Sequence, residues 1–226
     1  MGLFSGKTKV SIEEFCQQFY DSQIFHPVIA GQDASSLYIE EVFNFVLEAD
    51  QSFAAVDKTV FKREMIALRI ELFGLAFMHH VKKDEHLLAQ SVFTRNYLEQ
   101  NGQLEIWNIM PEYNKAIAAS NTEIVSGVRM KRGWTAAMNK MRFDMFVRWK
   151  NAGVDPECAV RVGNRLRTEV AWEKHITIKH LTARLADRLG CDVNLKSEAL
   201  FRLGTAIFGL YNGAKEAVKS VNLQVS

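Results

Sequence analysis

"KTVFKREMIALRIELFGLAFMHHVKK", residues 58–83, is the stretch whose reading decides the fold. At 100° per residue its apolar side chains point to nearly every side: Phe61, Met65, Leu68, Leu72 and Leu75 form one stripe, and Ile66, Ile70, Phe73 and Phe77 another. A helix that is apolar all round needs neighbours all round, so the pattern predicts a central helix over about 58–83, opened by Asp57, with other helices packed about it.

The same 3.6-residue period runs outward in both directions. Ser11 followed by Glu13 and Glu14 marks the start of a helix over about 11–24, an N-cap with acids in the first turn. "HPVIAGQDASS" reads as a loop from its Pro, Gly and Ser content, and Ser36 opens the next helix. A helix over about 84–100 stops at Asn101-Gly102, and the following run is expected to kink or restart at Pro111, which lacks a backbone donor. Beyond Gly127, one helical segment ends at Gly153. Asp155-Pro156-Glu157 opens another that runs towards Gly190, and a last helix begins near Ser197. No run alternates strictly between apolar and polar residues, so no strand is expected. The reading is all-α: a single-domain helical bundle of seven to eight helices over residues 1–226, with a subdivision near 127–133 as the alternative boundary.

Charge supports that boundary. Residues 1–130 hold 11 Lys+Arg against 17 Asp+Glu and residues 131–226 hold 17 against 9, so an acidic half of −6 meets a basic half of +8. Oppositely charged halves that pack on each other, or that pair in an oligomer, are the first explanation; a basic surface for nucleic acid is the second. Three widely spaced cysteines, Cys16, Cys158 and Cys191, form neither a disulfide framework nor a zinc ribbon and fit a reducing compartment. With no signal-peptide core, no membrane span and no myristoylation pattern (Gly6 stands where Ser or Thr is needed), the expected location is cytoplasmic.

Candidate chemistry begins at the end of the central helix. His79 and His80 are adjacent and point 100° apart, so one regular helix cannot bring both to a single metal. His79 falls on the stripe of Phe61, Leu68 and Leu72, and His80 lies with Lys62 and Arg69. A diiron site needs Glu three residues before a ligand His. The residues at that spacing are Ala76, Phe77, Lys83, Trp172 and Thr177, so the diiron motif is absent, as are P-loop, nucleophile-elbow, EF-hand and zinc-protease motifs. Glu64 and Glu71 share one stripe of the central helix, and with His79 they make the candidate metal set, for a metal ion or haem. The alternative is that this stripe faces solvent, or that Arg63, Arg69 or a basic residue of the C-terminal half neutralises the two carboxylates by salt bridges across the bundle.

Three further features carry candidate roles. Trp134, Met138, Met141, Met145 and Trp149 form a soft, aromatic stripe, read as core or as a groove for an apolar ligand or partner helix. Arg165, Glu169, Glu173, His180 and Arg184 line one face as a salt-bridged stripe. Residues 182–204 resemble a helix–turn–helix in outline, with Gly190 at the turn and Arg184 and Arg188 as its cations, although Lys196 stands where the second helix would bury an apolar side chain. Gly204, Gly209 and Gly213 inside the last helix predict close backbone approach by another helix or a second subunit.

The function placed first is non-catalytic: a ligand- or partner-binding and assembly protein, homo-oligomeric, taking a small apolar ligand or a protein partner. A metal- or haem-dependent enzyme or sensor on His79, Glu64 and Glu71 stands second. A DNA-binding regulator on residues 182–204 stands third, with nucleic acid not favoured.

Overall fold

A computed structural model describes residues 9–25, 28–29, 32–81, 84–127, 147–160, 174–191 and 197–224. Strand β1 (Lys9–Ser11) leads directly into helix α1 (Ile12–Phe19). Ser11 starts α1 as its spacing predicts: its hydroxyl accepts the Glu14 backbone N–H at 3.1 Å. The helix then widens into a π-helical turn, Tyr20–Phe25.

Where a loop was expected, Val28–Ile29 (β2) and Gln32–Asp33 (β3) pair antiparallel, and α2 (Ala34–Ala49) starts two residues ahead of Ser36. Two residue pairs make too short a ladder for alternation to register in the sequence. A 3₁₀ turn, Gln51–Ala55, leads to α3 (Lys58–His80), where Asp57 accepts the N–H groups of Thr59 and Val60 at 2.7 and 3.1 Å. The helix ends at His80 rather than residue 83, because Val81 turns extended. Helix α4 (Asp84–Gln100) stops at Gly102, whose φ of 66° is the left-handed geometry glycine adopts at no steric cost.

Helix α5 (Leu104–Gly127) runs through Pro111, so no new helix starts there. The missing N–H removes one hydrogen bond, while Ile106, Met110, Tyr113 and Ile117, buried at spacings of three and four, keep a continuous face on the core. Residues 147–151 and 156–160 are helical, with Gly153 in the left-handed region between them. Asp155 caps the second by accepting the Glu157 N–H at 2.9 Å. Helix α6 (Lys174–Arg188) ends before Gly190, α7 (Ser197–Ser220) follows, and β4 (Asn222–Gln224) pairs parallel with β1, so the strand that enters α1 is bonded to the strand that leaves α7.

This is an all-α helical bundle with α3 at its centre; 15 of the 23 residues of α3 are buried. Helices α5 and α7 pack on α3, and α6 packs on both of them. The buried face of α7 is Ala199, Leu203, Ile207, Tyr211, Ala214 and Val218, spaced by fours and a three. Phe19 stacks on Phe73 with ring centroids 4.2 Å apart, joining α1 to the same core. Among the described residues, no helix is long and apolar enough to cross a membrane.

The acidic and basic halves meet inside the bundle. Glu64 of α3, its side chain 3% exposed, is gripped by Arg188 of α6, whose Nε lies 2.9 and 3.0 Å from the two carboxylate oxygens and whose Nη2 lies 2.6 Å from Oε1. Tyr113 of α5 donates to the same carboxylate at 2.7 Å. Arg184, one turn before Arg188, pairs with Glu112 of α5. The Glu64 carboxylate raises the Arg188 pKa, and burial followed by the Glu64 charge raises that of the Tyr113 phenol well above its ordinary value. Removing the cation strands a buried carboxylate. Arg188→Ala should therefore cost about 3 kcal/mol in urea unfolding, whereas Glu64→Leu with Arg188→Met, which removes both charges, should cost under about 1.5 kcal/mol; equal losses from the two variants would refute the assignment.

Candidate functional site

The polar residues of α3 take separate partners. Glu71 accepts from Asn114 Nδ2 of α5 at 3.1 Å. His79 bonds through Nδ1 to the Tyr211 hydroxyl of α7, with the rings edge to face. Burial raises the Tyr211 phenol to about 12. The candidate metal set of Glu64, Glu71 and His79 is thus shared among Arg188, Asn114 and Tyr211. Helix rise puts Glu64 and His79 about 22 Å apart along the axis, too far for one ion. Among the described residues, no group of three or more His, Cys, Asp or Glu side chains is arranged to hold a metal.

Of the Met/Trp stripe, Trp149 is buried, and Trp134, Met138, Met141 and Met145 lie outside the described residues. Arg165, Glu169 and Glu173 lie outside them too, while His180 pairs with Glu123 of α5. Arg184 and Arg188, the cations of the helix–turn–helix reading, face Glu112, Asp187 and Glu64.

A different set of residues forms a groove. Phe15, Gln18 and Phe19 of α1 make one wall, with Ser22 and Gln23 of the π-helical turn; Gly209, Leu210, Gly213, Ala214 and Ala217 of α7 make the other. Tyr38 of α2 and Arg69 of α3 complete a cavity of about 650 Å³, within the range that suits small ligands. The β1–β4 ladder ties α1 to α7 next to Val221 in its lining. Arg69 donates to the Gln23 carbonyl, and its guanidinium lies 5.8 Å from the Tyr38 ring centroid. Burial lowers the Arg69 pKa, opposed by the Tyr38 charge; burial raises that of Tyr38, opposed by Arg69. On the wheel Arg69 grouped with Lys62 and His80 as a polar face. The signal that could have found it is an arginine midway along a helix otherwise apolar on every side.

The three glycines of α7 divide. A Cβ on Gly204 would stand 3.3 Å from Thr182 Oγ1 of α6, the close approach expected. On Gly209 and Gly213 a Cβ would meet nothing within 4 Å, so no part of the described chain fills the space they leave. Phe201, on the face of α7 towards α6, is 75% exposed beside a second apolar groove of about 550 Å³ that includes Ile178, Leu200 and Phe208.

Compared with family models, curated proteins and solved structures, the chain matches none. Its site is therefore read from its own residues.

Two glycines that adopt helical geometry and face open space forgo helix propensity of about 1 kcal/mol each relative to alanine. Gly209→Ala and Gly213→Ala should each raise unfolding stability by about 0.5–1 kcal/mol, and Gly204→Ala should not, because Thr182 must give way. Chemical denaturation of the three variants checks the order; a gain at Gly204 matching the other two would contradict the packing described.

Proposed function

We propose that this protein is a non-catalytic binding protein that holds a small, largely apolar ligand in the groove between α1 and α7. The observation that carries the reading is the groove itself: a cavity of about 650 Å³, floored by aromatic and aliphatic side chains, polar at a few points, and widened by two helix-interior glycines whose side-chain space the described residues leave open. The three cysteines are free thiols, two of them buried, which supports a reducing, cytoplasmic setting. The uncharged dye Nile red should bind with a blue shift and one saturable phase. Gly213→Leu should abolish that phase while keeping cooperative thermal unfolding, since the new side chain enters open space. Undiminished dye binding by a folded Gly213→Leu variant would move the ligand site elsewhere.

A second reading concerns assembly. Phe201 exposes three quarters of its surface beside Ile178, Leu200 and Phe208, an apolar face of the kind that contacts protein. We infer that it joins two copies of the chain. Light scattering on a sizing column should give twice the 25.7 kDa chain mass for the wild type and a single chain mass for Phe201→Glu; a wild type that stays monomeric at high concentration would exclude it.

A further inference from the structure

The polar side chains of the groove differ in how far their hydrogen bonds are already used. Gln18 donates to Glu14, Ser22 to the Gln18 carbonyl, Gln23 to the Ser22 hydroxyl, Arg69 to the Gln23 carbonyl and Ser220 to the Ala217 carbonyl. Tyr38 differs: its ring lies beside the Arg69 guanidinium, and its hydroxyl bonds to no described residue. We propose that the ligand of the groove is an apolar molecule bearing a carbonyl oxygen, and that Tyr38 is the specificity-determining residue, its hydroxyl donating a hydrogen bond to that oxygen. This rests on the groove being the ligand site.

Tyr38 belongs to α2, a different helix from those of the two walls, and it lines the same cavity as Phe15, Phe19, Leu210 and Ala214. Its side chain is half-buried. Burial is the first cause of its raised pKa, with the Arg69 charge opposing and the Glu41 charge adding, so at pH 7 the phenol is protonated and a donor. A tyrosine hydroxyl withdrawn from water ordinarily finds a partner, because a hydrogen bond left unmade there costs more than a made one gains.

That donor sorts apolar molecules by their oxygen. A plain hydrocarbon fills the cavity but leaves the hydroxyl unpaired, and a site discriminates more sharply through a hydrogen bond it must satisfy than through a methylene it must fit. A carbonyl accepts without bringing a proton of its own. An alcohol brings one, and the lining carbonyls of Gln18, Gln23 and Ala217 already accept from Ser22, Arg69 and Ser220.

Displacement of Nile red from the full chain by butyrophenone and by butylbenzene compares two molecules of nearly one shape, the first with a carbonyl where the second has a methylene. Tyr38→Phe keeps the ring beside Arg69 and removes only the oxygen. It should weaken butyrophenone about three- to tenfold, the worth of one neutral hydrogen bond, and leave butylbenzene unchanged. The wild type supplies a readout that needs no variant to fold: the infrared carbonyl stretch of bound butyrophenone should lie below its position in hexane. An unshifted stretch, equal weakening of both compounds, weakening of neither, or failure of both to displace the dye would overturn the carbonyl and the role of Tyr38. Under any of those results, Nile red binding that Gly213→Leu still blocks would leave the groove standing as an apolar site; dye binding insensitive to Gly213→Leu would overturn both readings.

Discussion

The carboxylate of Glu64 lies two turns into a helix with almost no solvent face, and the bundle depends on its being neutralised there. An isolated carboxylate in that setting would be untenable. The Arg188 fork and the Tyr113 hydroxyl cover its oxygens, from residues 124 and 49 positions away in sequence. One group thereby fixes three helices at one point. Hydrophobic burial supplies most of the drive to assemble, but it is non-directional, and a helix apolar on every side can rotate among its neighbours at little cost in apolar contact. The polar points cannot rotate: Glu64 must meet α5 and α6, Glu71 must meet Asn114, and His79 must meet Tyr211 on α7.

The unequal charge of the two halves resolves into the same geometry. Glu64 with Arg188, Glu112 with Arg184 and Glu48 with Arg202 each set an acid of the first half against a base of the second. They are not equivalent energetically. The Glu48 carboxylate is 71% exposed, so water and salt screen that pair to a fraction of a kcal/mol, whereas the Glu64 pair is shielded and its loss would leave a charge stranded.

What could be read in the sequence was local. Ser11, Asp57, Gly102, Gly153, Asp155 and Gly190 mark helix ends because a cap is satisfied by atoms two to four residues away, and each stands where its spacing predicts. The central position of α3 was legible because burial on all sides leaves an apolar pattern on all sides. The continuity of α5 through Pro111 was not, since it is tertiary packing of Ile106, Met110, Tyr113 and Ile117 that outweighs one absent donor. The short ladders have too few residues for a period. For Glu64, the sequence left open a solvent-facing stripe or neutralisation by Arg63, Arg69 or a base of the C-terminal half, and choosing Arg188 requires the fold. The groove was further out of reach, because its walls come from five segments between Phe15 and Val221.

The three α7 glycines show why a pattern alone misplaces a site. In sequence they are alike, and close helix approach is the natural explanation for all of them. In the fold, Gly204 answers to Thr182 of the same chain, while Gly209 and Gly213 answer to nothing among the described residues. A helix that forgoes a side chain where a neighbour presses on it is solving a packing problem; one that does so beside empty space leaves the core no better packed. That space borders Arg69, the lone charged side chain of the described lining. The metal reading looked for converging carboxylates on α3, where helix rise keeps them apart and other helices satisfy them.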